Sequence, residues 1–275
     1  MSTEPRDDQG AHLRPDISYG DYLGLDRLLA AQNPRSPHHD ELLFIVIHQA
    51  SELWIKLCLH ELVAARDHLA ADDLGPALKM IARVSRIQTQ LIQSWDVLAT
   101  MTPADYQAIR PHLGQSSGFQ SYQYRAMEFV MGAKSAAALA VHEPDPAAHA
   151  LLAALLAAPS LYDEAIRLLA RSGIVVPEAV LARDVTEPWT FDAGVQAAWL
   201  AVYRDTAGHW DLYDLAEKLV DLEFRFQQWR FAHFKTVERI IGLKPGTGGT
   251  AGAPYLKRVL DTQFFPELLA VRTAL

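Results

Sequence analysis

Two histidines, His48 and His233, project from predicted helical faces that are otherwise apolar. His48 lies in residues 42–66, a stretch without Gly or Pro, and the helical step of about 100° places it on one face with Phe44. An imidazole in such surroundings either donates to a backbone carbonyl in the core or ligates the iron of a flat hydrophobic cofactor such as a haem. The residues alone favour the core histidine and leave the haem ligand as the alternative. The face around His233 is formed by Leu219, Leu222, Phe226, Trp229, Val237 and Ile240.

A fixed cation and a glycine-rich loop supply further polar chemistry. Tyr106 and Arg110 are four residues apart in a short predicted helix, so both side chains point the same way. A guanidinium can hold a carboxylate or a phosphate through two hydrogen bonds, and a surface ion pair is the alternative use of Arg110. Residues 244–252 are rich in glycine but lack the Gly-Lys-Ser/Thr sequence of a P-loop. They form either a flexible linker or a lid that offers backbone amides and the Thr247 hydroxyl to a ligand.

The hydrophobic pattern predicts an all-α fold, a helical bundle with a core of four long helices and additional short helices. The stretch 42–66 is apolar around most of its circumference and is therefore predicted to lie in the middle of the protein. Asp40 is predicted to cap this helix. A metal site formed by His38, His39 and Asp40 is disfavoured, because the side chains of adjacent residues diverge and the three match no metal-ligand spacing. Further long helices are predicted at 74–100 and 208–241, and a peripheral helical hairpin at 133–158.

Composition narrows the class of protein. The chain has 275 residues, half of them hydrophobic, and a formal net charge of −8, which argues against nucleic-acid binding. The single cysteine, Cys58, cannot form an intrachain disulfide, and residues 1–17 lack the apolar centre of a signal peptide. The longest apolar run, residues 150–158, is shorter than the ~18 residues of a membrane helix. We therefore predict a cytoplasmic protein with no membrane partner: a disordered or partner-ordered segment 1–17, then one helical domain, 18–275.

Several short motifs, in order and at characteristic spacing from about residue 18 to the C-terminus, resemble the tryptophan 2,3-dioxygenase family. One such motif alone would be weak, whereas the ordered set is specific. The motifs are Tyr19-Gly20-Asp21-Tyr22-Leu23, His39-Asp40-Glu41, Phe44 to His48, Ser51-Glu52-Leu53-Trp54, Gly118-Phe119-Gln120-Ser121, Trp229-Arg230-Phe231, Gly246-Thr247-Gly248-Gly249 and Phe264-Phe265-Pro266-Glu267-Leu268.

The resemblance implies a haem b enzyme, with one haem per subunit and ferrous iron in the active form. Such an enzyme inserts both atoms of O₂ across the indole C2–C3 bond of L-tryptophan to give N-formylkynurenine, the first step of tryptophan breakdown by the kynurenine pathway. It also implies a homotetramer, a dimer of dimers in which the N-terminal segment of each chain reaches a neighbouring subunit.

The resemblance also implies roles for individual residues. His233 would be the proximal iron ligand, and His48 would lie on the distal side and accept a hydrogen bond from the indole N–H. Arg110, helped by Tyr106, would bind the substrate carboxylate. The remaining implied contacts are Phe44 on the indole, Thr247 on the polar end of the amino acid, Ser117 and Trp95 close to the haem, and Tyr19 and Tyr22 from a neighbouring subunit.

Overall fold

The computed structural model describes residues 17–249 and 251–275. The prediction of a disordered or partner-ordered segment 1–17 therefore lies, except for Ile17, outside the described residues. Within them the secondary structure is helical and no strand occurs, which confirms the all-α prediction. Two short 3₁₀ helices, Arg110–His112 and Gly118–Gln120, accompany the α-helices. The α-helices are α1 Tyr19–Leu23, α2 Leu25–Leu29, α3 Asp40–Ala70, α4 Leu74–Leu98, α5 Pro103–Ile109, α6 Tyr122–Met131, α7 Ala136–Ala140, α8 Pro146–Ala157, α9 Leu161–Arg171, α10 Glu178–Leu181, α11 Ala193–Arg204, α12 Trp210–Ile241, α13 Ala253–Val259 and α14 Pro266–Ala274.

Three long helices organise the fold. Helix α3 packs along α4, α4 packs along α12, and the shorter α6 and α9 cover other parts of α3. The prediction of four long helices is therefore not confirmed in the described residues, because every helix other than α3, α4 and α12 has at most 12 residues. The buried side chains of α4 follow a helical stripe that runs from Ala77 through Val84 and Leu91 to Leu98.

The N-termini of α3 and α5 were both predicted to be capped by a side chain, and only that of α5 is. Asp40 is the first residue of α3 and not its cap, since His39 already has a helical backbone and no side chain caps the helix. The buried carboxylate of Glu41 instead accepts the backbone N–H groups of Arg35 and Ser36, both at 2.7 Å, and so fixes the chain as it enters α3. The start of α5 is as predicted, because Thr102 and Asp105 form a reciprocal capping box.

The fully buried hydrophobic residues of α3 are confined to its second half, contrary to the prediction for the whole stretch. Its buried hydrophobic residues all lie from Ile55 onward, whereas the first half presents apolar side chains to the outside of the chain. By length and composition alone, α3 is long and apolar enough to span a membrane. The exposed apolar residues of α3 share one face and are Leu42, Val46, Leu53 and Leu57.

The predicted hairpin at 133–158 consists of α7 and α8, and α8 packs against α6. Lys134 precedes it and is buried, with its ammonium donating to the carbonyls of Leu155, Leu156 and Ala158 at the end of α8. Burial lowers the pKa of Lys134 to about 8, so the ammonium remains charged at neutral pH. Lys134 therefore satisfies carbonyls that a helix C-terminus leaves without partners.

Candidate functional site

The His48 side chain is oriented by its own helix. Its Nδ1 lies 2.7 Å from the carbonyl oxygen of Phe44, one turn earlier in α3. Because a carbonyl can only accept, Nδ1 carries the proton and Nε2 of the neutral ring is left as an acceptor. Burial lowers the pKa of His48, which keeps the ring neutral at pH 7. The Phe44 ring packs against the imidazole with ring centroids 4.2 Å apart.

His233 has a different environment on α12. The indole ring of Trp95, from α4, stacks on the imidazole with centroids 4.4 Å apart and planes 7° from parallel. The ring of Trp229 lies on another side of the imidazole, with ring centroids 5.8 Å apart. Burial, and then the nearby His48, lower the pKa of His233 to about 4, and no hydrogen bond to another described residue orients the ring. The interpretation as a core histidine that donates to a carbonyl therefore fits His48 and not His233.

The surroundings of the two imidazoles fit a flat apolar group with one axial ligand. Both rings are half-buried: each is enclosed by enough protein to lower its pKa, yet each keeps accessible surface. The buried indole N–H groups of Trp95 and Trp229 have no partner among the described residues. A neutral, unbonded imidazole on one wall and apolar and aromatic side chains around it are the donor set that a haem needs. His233 is the residue that could hold the iron.

A second cluster lies where α5 approaches the glycine-rich loop. Arg110 Nη2 donates to the carbonyl oxygen of Pro245 at 2.7 Å, and its Nη1 is buried without a partner among the described residues. The guanidinium carbon is 6.0 Å from the centroid of the Tyr106 ring, and the ring centroids of Tyr106 and Phe44 are 6.2 Å apart. This cluster therefore links the loop to the face of α3 that carries His48.

The loop after α12 is docked on the turn that precedes the second 3₁₀ helix. Thr247 Oγ1 donates to the carbonyl oxygen of Ser116 at 2.5 Å. A Cβ atom at Gly248 would lie 2.5 Å from Cβ of Ser117, so only glycine permits this approach. Gly242 and Gly252, at the two ends of the loop, have φ of 63° and 65°, a region that favours glycine. The loop residues described, 243–249 and 251, thus form a covering segment between two glycine positions.

Replacing Gly248 by Ala should release this segment. The added Cβ cannot be accommodated against Ser117 without a shift, and overpacking of this kind costs about 1–3 kcal/mol. We expect the loop to be cut roughly 10-fold faster by proteinase K, with unchanged urea denaturation of the helical core. Gly75→Ala is the matched control, since a Cβ at Gly75 meets nothing within 4 Å. Equal cleavage rates in the two variants would show that the loop is not held by this contact.

The structure brings together most of the residues that the sequence indicated, but not all. His48, Phe44, Tyr106 and Arg110 lie along one continuous set of contacts, and Trp95 packs on His233. Ser117 and Thr247 lie at the loop junction. Tyr19 and Tyr22 are 75% and 77% exposed on α1, so within one chain they do not contribute to the site.

Sequence reasoning missed the contact between Pro245 and Arg110. The helical pattern did place Trp229 on the same face of α12 as His233, and the two rings are neighbours in the structure. No local signal pairs Pro245 with Arg110, because the two are far apart in sequence.

Fold and site together define an all-helical protein whose two longest helices carry neighbouring histidines. Beside them is the loop-covered cluster in which one guanidinium nitrogen of Arg110 has no partner in the part of the chain that the structure describes. A family model described as tryptophan 2,3-dioxygenase matches residues 6–202 and 189–275. The tryptophan 2,3-dioxygenase of Erythrobacter litoralis (strain HTCC2594) is 64% identical over 263 residues, which is 96% of this chain and 100% of the relative. Tryptophan 2,3-dioxygenase 1 of Ralstonia nicotianae (strain ATCC BAA-1114 / GMI1000) is 61% identical, covering 94% of this chain and 88% of the relative. The tryptophan 2,3-dioxygenase of a Bacillus cereus strain is 58% identical, covering 98% of this chain and 97% of the relative. The chain belongs to the tryptophan 2,3-dioxygenase family.

Proposed function

We propose that this protein is a haem-dependent dioxygenase that inserts O₂ into the indole C2–C3 bond of L-tryptophan and releases N-formylkynurenine. Family membership over nearly the whole chain supports the reaction. The assignment of the haem site is supported by two neighbouring imidazoles, His48 and His233. Of the two, only His233 lacks a hydrogen-bond partner among the described residues. A haem that supplies oxygen chemistry would be held by one protein imidazole, so His233 would hold it and His48 would be left for the substrate.

His233 holds the cofactor in this proposal. Its imidazole is neutral near pH 7, because burial lowers its pKa to about 4, and a neutral ring nitrogen is what a metal ligand requires. The parallel stack with Trp95 limits rotation of the ring, and Ser117 would lie close to the bound cofactor. A bound haem b with ferrous iron supplies the oxygen chemistry; the protein orients the substrate and discriminates between substrates.

His48 orients the indole. Its Nδ1–H is committed to the carbonyl of Phe44, so Nε2 accepts the indole N–H while Phe44 packs on the ring. A buried partner for this N–H disfavours analogues that lack it. His48 need not act as a base, because an indole N–H is a very weak acid and direct attack on the ring does not require its removal. Arg110 binds the substrate carboxylate with help from Tyr106, and Thr247 contacts the polar end of the amino acid.

The substitution His48→Ala tests this assignment. It removes one hydrogen bond to the substrate, which is worth about 1–3 kcal/mol for a buried donor, so kcat/KM for L-tryptophan should fall roughly 10- to 100-fold. For 1-methyl-L-tryptophan, which lacks the N–H, the variant and the parent should be alike. Complete loss of turnover by the variant, with haem and tryptophan still bound, would assign His48 an essential chemical role and contradict this proposal.

The apolar surfaces outside the site support assembly into a homotetramer, a dimer of dimers. Helices α1 and α2 contain no buried residue, and α3 presents the exposed apolar stripe described above. Such surface favours a protein partner. In the proposed assembly Tyr19 and Tyr22 complete the substrate site of a neighbouring subunit. The mass of the native protein in solution tests this, and a monomer would contradict it. A cytoplasmic location stays a prediction.

Turnover by the purified haem-loaded protein tests the proposed function. L-Tryptophan and O₂ should be converted steadily to a product with new near-ultraviolet absorbance, and D-tryptophan should react more slowly. A protein that binds haem and tryptophan without conversion would instead be a helical haem sensor. A colourless protein from haem-replete cells would be a helical scaffold in which both histidines are core residues.

A further inference from the structure

A cavity of about 330 Å³ is lined by Arg110 and by residues of α5, the end of α12 and the glycine-rich loop. Its volume is within the range of small-molecule pockets. The residues that line it carry two cations, Arg110 and Lys244, and none of them is acidic. Its other walls are apolar or uncharged, and among them are Tyr106, Gln107, Ile240 and Ile241.

This cationic lining stands out in a chain whose formal net charge is −8. A concave site lined by one sign of charge concentrates the field and attracts small ions of the opposite sign. Apolar walls beside two cations suit an amphipathic anion, with the anionic group on the cations and an aromatic body on the walls. An aromatic amino acid has this chemistry at its carboxylate end.

We infer that this cavity is an entry site at which Lys244 captures the carboxylate of the incoming aromatic amino acid and passes it to Arg110. The inference rests on the proposed function. Arg110 faces both regions: its Nη2 donates to Pro245 in the loop, which lines the cavity, while its Nη1 is buried and without a partner among the described residues. Because Lys244 and Arg110 line the same cavity, a carboxylate held by Lys244 would be near the guanidinium that binds it in the proposed function.

The backbone of Lys244 is fixed at the base of the loop. A Cβ atom at Gly252 would lie 2.5 Å from the Lys244 carbonyl oxygen, so the two ends of the loop are in close contact. The Lys244 amide also donates to the Ile241 carbonyl at 3.3 Å, which joins it to the last turn of α12. Lys244 is exposed and lines the cavity, so its side chain starts from a fixed backbone position beside the cavity.

The test is the association rate constant of two indole ligands, measured by stopped-flow absorbance of the haem-loaded protein. Indole-3-propionate keeps the carboxylate, and tryptamine keeps only the ammonium. In Lys244→Gln the rate constant for indole-3-propionate should fall roughly 3- to 10-fold at ~0.01 M ionic strength, because one cation of the steering pair is lost. The loss should shrink at ~0.5 M, where charges are screened over a few ångströms. Lys244→Arg should restore the rate.

Lys257→Gln is the matched control, since Lys257 is an exposed lysine on α13 that does not line the cavity. Tryptamine should bind Lys244→Gln at least as fast as it binds the parent protein. Equal rates for indole-3-propionate in the two glutamine variants would overturn the inference, and so would an equal loss for both ligands, which would indicate a disturbed loop. Tryptophan turnover by the parent protein is scored separately: its absence contradicts the proposed function, whereas normal turnover with no effect at Lys244 contradicts only the entry site.

Discussion

The variant His233→Ala should be purified without haem and should not convert tryptophan. Alanine leaves no ligand on α12, and the other imidazole, His48, has its Nδ1 bound to the carbonyl of Phe44 and, in the proposed function, its Nε2 on the indole. If His233 holds the haem, its loss removes the bond from the protein to the iron, so we expect the Soret band to be absent and turnover to fall by at least about 10³-fold. Absorbance spectra and turnover of the variant, after haem has been added to the purified protein, measure both effects.

His60→Ala is the control for this result, because His60 is an exposed histidine on α3. Helix content should be unchanged in both variants, as judged by circular dichroism. Added imidazole should partly restore the Soret band of His233→Ala by filling the space of the lost ring. A variant at position 233 that retained haem with the parent spectrum would show that another residue holds the iron.

The variant Arg110→Ala should lose affinity for carboxylate-bearing ligands in particular. A buried, hydrogen-bonded charge pair is worth about 2–5 kcal/mol when one partner is truncated, so we expect the dissociation constant of L-tryptophan to rise roughly 100-fold. For tryptamine, which lacks the carboxylate, the rise should stay below roughly 5-fold. That smaller loss is expected because Arg110 also holds the loop through Pro245, a contact that serves every ligand alike. Titrations monitored by haem absorbance supply both constants.

The substitution Arg110→Lys separates geometry from charge. A lysine keeps the positive charge but cannot give two parallel bonds to a carboxylate, so it should recover only a small part of the affinity. If tryptophan and tryptamine lost affinity equally in Arg110→Ala, the guanidinium would act through the loop alone, and the carboxylate assignment would be wrong.

Helical periodicity was sufficient to predict the elements that carry the site. The 100° step placed His48 and His233 on apolar faces of α3 and α12, and the structure has both helices at those positions. The capping box at Thr102 was also readable, because the cap and its partner are three residues apart. Signals of this kind depend on residues within one or two turns of each other.

The features that could not be predicted from the sequence depend on contacts between segments that are far apart in the chain. Apolar periodicity says that a face is covered but not by which chain, so the first half of α3, which is mostly half-buried, was predicted to lie in the middle of the protein. The carboxylate of Glu223, buried on α12, accepts the backbone N–H groups of Phe264 and Phe265 at 2.9 and 2.8 Å. A charged residue on a helix gives no sign of such a partner some forty residues away.

Turnover of L-tryptophan under isotopically heavy oxygen gas tests the central claim most directly. The haem-loaded protein should release N-formylkynurenine in which both added oxygen atoms come from the gas, as read by mass spectrometry of the product. A product that carries only one heavy oxygen atom, or the absence of any oxygenated product while haem and tryptophan are bound, would contradict the assignment of this chain as a dioxygenase.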